Sequence, residues 1–87
     1  MTKSRNFILT KNLKDQKKAE SLTEFFEILK RDAVCACAQL ERGEKGTPHF
    51  QAFVSYKNAK HIKAMHKSFP GCHIEIAKNA MAAWTYC

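Results

Sequence analysis

Eighty-seven residues allow one small domain, burying about 60% of the surface its unfolded chain exposes. Apolar side chains make up 45% of the chain, which argues against disorder, and no apolar run reaches the ~20 residues needed to cross a membrane. Fifteen Lys and Arg against eight Asp and Glu leave a net charge of +7, which points to a polyanionic partner, nucleic acid first. A basic domain without such a partner would show the same balance.

Taken in chain order, Phe7-Ile8-Leu9-Thr10 predicts a first strand, and the lysine-rich stretch 10–19 a loop. Ser21 and Glu24 stand at capping-box spacing, and Leu22, Phe25, Phe26 and Leu29 recur with helical period, predicting a helix over 21–31. Residues 33–41 predict a second strand, with Val34, Ala36, Ala38 and Leu40 on one face and Cys35, Cys37, Gln39 and Glu41 on the other. Residues 48–56 predict a third, with His49, Gln51 and Phe53 opposed to Phe50, Ala52, Val54 and Tyr56. Asn58 is placed to cap a helix over 59–68, which Pro70-Gly71 would end. Residues 72–77 alternate as a fourth strand, and Asn79 opens a last helix over 80–86. The order β-α-β-β-α-β-α defines an α+β domain. It is a split βαβ arrangement, ferredoxin- or RRM-like, with helices packed on an antiparallel sheet.

His49 and Gln51 point the same way from their strand, after a glycine-containing turn. If residues 42–48 close a hairpin, Glu41 lies opposite His49, and a carboxylate, an imidazole and an amide oxygen converge. Such a set suits Mg²⁺ or Mn²⁺, the imidazole favouring Mn²⁺. A surface histidine and a cross-strand glutamine are the plainer alternative. Tyr86, near the end of the last helix, is a candidate nucleophile for phosphoryl transfer, although a lone tyrosine is more often a packing residue. His61 and His66 lie among Lys60, Lys63 and Lys67 on a basic face suited to phosphate. His73 and Glu75 share a face of the fourth strand, most simply as a cross-strand polar pair. Cys35, Cys37, Cys72 and His73 are a conceivable zinc set, but the Cys-x-Cys spacing favours small buried thiols. Phe69 and Trp84 are most economically core.

Three motifs together resemble the N-terminal, HUH-type endonuclease domain of the replication initiator (Rep) proteins of small circular single-stranded DNA viruses, of circovirus, nanovirus and geminivirus type. Phe7-Ile8-Leu9-Thr10 resembles the first motif, Pro48-His49-Phe50-Gln51 the second in its His-x-Gln form, and Tyr86-Cys87 the start of the third. Cys72-His73-Ile74-Glu75 resembles the segment that precedes the third. The resemblance covers nearly the whole chain. It implies that Glu41, His49 and Gln51 hold Mn²⁺ or Mg²⁺ and that Tyr86 is the nucleophile. It also implies DNA contacts from Phe7, Leu9, Thr10 and Asn12, to which the basic face adds Lys60 and Lys63. The implied activity is nicking and rejoining of single-stranded DNA at an origin stem-loop, through a 5′-phosphotyrosine, to start rolling-circle replication. A host-nuclear location, oligomerisation of the full-length protein and a following helicase domain are implied as well, so that 1–87 would be the truncated catalytic domain. Two departures stand out. The family's third-motif lysine would fall three residues after Tyr86, and the first motif continues Thr10-Lys11-Asn12 instead of Thr-Leu-Asn-Asn. The competing reading is a non-catalytic nucleic-acid-binding module with an RRM-like sheet.

Overall fold

The computed structural model describes residues 3–13, 22–42 and 48–77. They form β1 (Lys3–Asn12), α1 (Leu22–Leu29), β2 (Ala33–Arg42), β3 (Pro48–His61), α2 (Ile62–Ser68) and β4 (His73–Ile76). The strands make one four-stranded sheet in the order β2-β3-β1-β4, with every neighbouring pair antiparallel. This is the α+β, ferredoxin-like arrangement that the element order predicts. The capping residue Ser21 and the predicted last helix lie outside the described residues.

β1 sits between β3 and β4, and its alternation fixes which side of the sheet is inside. Phe7 and Leu9 are wholly buried, and Phe50, Ala52, Val54 and Ile74 join them on the same face. Their Cα partners show why: Phe7 pairs with Val54 and Ile76, and Leu9 with Ala52 and Ile74. Side chains directly opposed across an antiparallel pair share a face. The helices contribute Phe25, Leu29 and Met65 to this layer. Phe25 is the keystone, with its ring 5.2 Å from that of Phe50 and 5.8 Å from that of Phe69.

Three local expectations give way to pairing between strands. Lys11 and Asn12 belong to β1 and not to a loop, because they pair with Phe50 and His49. Val34 does not join the apolar face. The register steps from Ala33↔Tyr56 to Cys35↔Ser55, and the residue left over at this irregularity is 67% exposed. The helix predicted from residue 59 begins only at Ile62, and Asn58 does not cap it. Lys60 and His61 stay extended because they pair with Ser4 and Lys3, and those ladder bonds outweigh a local cap.

A bulge makes this extension fit. Between Ser4↔Lys60 and Asn6↔Ser55, β1 advances two residues while β3 advances five, so residues 56–59 loop out of register. Ser4 steadies the short side: its hydroxyl accepts from the Asn6 N–H and donates to the Asn6 carbonyl, each at 3.1 Å. After α2, Gly71 turns the chain into β4 at φ +81°, a left-handed conformation that glycine adopts without strain.

Because Phe25 bridges β3 and the end of α2, Phe25→Ala should lower stability by about 3–5 kcal/mol. Urea unfolding followed by circular dichroism measures the loss. A change below about 1 kcal/mol would remove Phe25 from its central place in the core.

Candidate metal and nucleic-acid face

The face of the sheet opposite the core carries the candidate site residues Glu41, His49 and Gln51. The pairings Glu41↔His49 and His49↔Asn12 set a first polar row across β2, β3 and β1. A second row runs through Gln39, Gln51, Thr10 and His73 across all four strands. A third row, Cys37, Phe53, Ile8 and Glu75, is mostly apolar. Phe53 packs there with Ile8, Cys37 and Ala77 and is only 2% exposed.

Directly opposed Cβ atoms lie about 4.5–5.5 Å apart, and diagonal neighbours about 7–8 Å. The hairpin that the sequence suggests therefore forms, with Glu41 beside His49 and Gln51 diagonal to Glu41. Two hydrogen bonds orient the oxygens. The Thr10 hydroxyl donates to Gln51 Oε1 at 3.0 Å, and Gln39 Nε2 donates to Glu41 Oε2 at 2.9 Å. No group of three His, Cys, Asp or Glu residues suited to a metal occurs among the described residues. A cation on this face thus depends on the Gln51 amide as a third donor to the carboxylate and the imidazole. Two hard oxygen donors and one nitrogen fit Mg²⁺ or Mn²⁺ by chemistry. The zinc alternative does not assemble, because Cys72 is buried with the core cluster whereas Cys35 and Cys37 alternate onto the opposite face.

The other expected contact residues divide. Thr10 and Asn12 stand on the open face. Phe7 and Leu9 do not; both are wholly buried beneath the sheet and hold β1 in place instead of touching DNA. Strand alternation is the cause, since beyond the irregularity at Ser4–Asn6 the odd-numbered Phe7 and Leu9 face the core. Lys60 pairs with Ser4, eight positions along β1 from Asn12, so it sits about 27 Å from the His49 end, and Lys63 follows in the first turn of α2. Lys60 Nζ rests 4.6 Å above the Tyr56 ring. Tyr86 lies outside the described residues. His73 and Glu75 bond to each other along β4, Nε2 to Oε1 at 2.9 Å, instead of across strands. The residue that sequence reading passes over is Gln39. Its only signal is that it stands on the same face as Glu41, two positions away.

A split βαβ sheet with helices under one face and polar donors on the other defines an α+β, ferredoxin-like domain with a polar open face. The family described as putative viral replication protein matches residues 5–87, and the chain belongs to it, among the Rep proteins of circular single-stranded DNA viruses. The chain is 45% identical over 42 residues to the replication-associated protein of beak and feather disease virus, covering 48% of this chain and 14% of that protein. It is 42% identical over 50 residues to the master replication protein of banana bunchy top virus, covering 56% of this chain and 18% of that protein. The matched stretch is thus less than a fifth of either relative's length.

At the far end, burial and the nearby Asp32 carboxylate push the Tyr56 phenol up to about 12 from an ordinary value of 10. Between those values the unfolded chain ionises Tyr56 and the folded chain does not. The contribution is therefore intact below pH 10 and lost as pH rises toward 12. Chemical denaturation across that range should show stability falling in the wild type, with a shallower fall in Tyr56→Phe. Equal slopes would contradict the shift.

Proposed function

We propose that this chain is the nicking and joining domain of a viral replication initiator, acting on single-stranded DNA with a divalent cation and Tyr86 as nucleophile. The observation that carries the reading is the register of β2, β3 and β1, which brings Glu41, His49 and Gln51 together on one open face. Family membership supports it, and the charge of +7 favours a phosphate backbone as the substrate surface.

Glu41, His49 and Gln51 hold the cation, and Thr10 and Asn12 border it on β1. When bound, Mn²⁺ or Mg²⁺ supplies a Lewis acid that makes the phosphate easier to attack. In the first transfer, the Tyr86 oxygen bonds to phosphorus as the bond to the 3′ oxygen breaks. The phenol gives up its proton and the 3′ oxygen gains one. The phosphotyrosine retains the bond, so reversal with another 3′-hydroxyl rejoins the strand. A rigid sheet suits this work, because the three ligands come from two paired strands and need no loop to place them.

A non-cutting module would read single strands by stacking bases on exposed rings of the sheet. On the described open face the only Phe, Tyr or Trp ring is Phe53, and it is buried. That observation favours the nuclease.

Incubation with a library of single-stranded stem-loops and Mn²⁺, followed by a denaturing gel, should reveal a covalent protein–DNA adduct that Tyr86→Phe abolishes. His49→Ala should remove the Mn²⁺-dependent rise in melting temperature while leaving the melt in chelator unchanged. Binding with no adduct would instead support the non-cutting module.

A further inference from the structure

Two side chains beside the proposed cation site are bonded to its ligands, and neither is a ligand. We infer that Gln39 and Thr10 are positioning residues, which set the oxygens of Glu41 and Gln51 that face the cation. The inference rests on the metal reading above and specifies how that site is held ready.

Thr10 acts on Gln51. A glutamine amide presents an oxygen on one side and an NH₂ on the other, and turning it over would aim two positive hydrogens at a cation. The Thr10 hydroxyl donates to Gln51 Oε1 at 3.0 Å from the adjoining strand. In the turned-over state the amide would donate to that hydroxyl instead, so in the observed pairing it is the donation to Oε1 that holds the oxygen on the β1 side of the amide. The oxygen's second lone pair remains for a cation. Because Thr10 and Gln51 are direct Cα partners, the hydroxyl is delivered by backbone register and not by a flexible reach.

Gln39 acts on Glu41. It lies two positions earlier on the same face of β2, and its Nε2 donates to Glu41 Oε2 at 2.9 Å. The carboxylate is thereby tethered through one oxygen, and the other is left as the single donor. Gln39 is itself the direct partner of Gln51, so one side chain borders both oxygen ligands. All four residues are half-buried, an environment in which such bonds suffer less competition from water than on an open surface. Partners of this kind orient metal ligands in general, and their removal commonly costs 10–100-fold in metal affinity.

Mn²⁺ titration of the full chain without DNA, with free Mn²⁺ followed by electron paramagnetic resonance, tests the assignment. Gln39→Met and Thr10→Val keep shape but remove the donor, and each should weaken Mn²⁺ binding by about tenfold or more. Thr10→Ser restores the hydroxyl and should stay within about twofold of the wild type, a recovery that packing alone would not produce. Melting in chelator should be the same for all four proteins. Wild-type affinity in Gln39→Met and Thr10→Val, with binding abolished by His49→Ala, would overturn the positioning roles and leave the metal site standing. Weakened binding accompanied by a lower melt in chelator would reduce both residues to structural ones. A wild type that binds no Mn²⁺ would overturn the site itself, and the positioning roles with it.

Discussion

The two-residue alternation of β3, held in register from both sides, is the constraint on which the remainder of this domain depends. β2 and β1 both pair with it through residues 49–55, so neither face of β3 is free to rotate. One set of its side chains, Phe50, Ala52 and Val54, seals the core. The other set, His49, Gln51 and Phe53, is then obliged to face away from it. A slip of one residue would exchange the sets, burying an imidazole and an amide without partners while exposing a phenylalanine. The free energy that keeps the core dry is therefore the same free energy that assembles the polar face.

Much of this was legible in the chain because period-two patterns are short-range and strongly marked. The apolar and polar sets of residues 48–56 separate cleanly, those of residues 35–41 do so apart from Leu40, which is exposed, and the hairpin between them follows from the turn residues. The separation of Phe7 from Thr10 is implicit in the same alternation, yet a motif read as a block hides it: the strand offers one residue to the core and the next to the open face. What local sequence did not disclose was settled by distant partners. Asn58 is a good cap in isolation, but the start of β1 claims the backbone of Lys60 and His61. Val34 is apolar and alternates correctly, but an irregularity against β3 displaces it. Gln39 shows no distinguishing feature until side-chain geometry places its amide on Glu41.

The polar face is graded. Beside the carboxylate and imidazole lies a row of amides and a hydroxyl, and beyond it an apolar row in which Phe53 is shielded. A face with one carboxylate among neutral donors repels an anion less than a denser cluster of carboxylates would.

The bulge in β3 has a mechanical meaning beyond its fit. By letting five residues on one strand span what two cover on its partner, residues 56–59 uncouple the phase of the strand's two halves. Slack of this kind is available only to the exposed residues 57–59, because Tyr56 is buried and paired with Ala33, and Pro48 to Ser55 are fixed by their partners on both sides. The strand thus holds one long segment set by its neighbours and one short exposed segment that they leave out of the ladder.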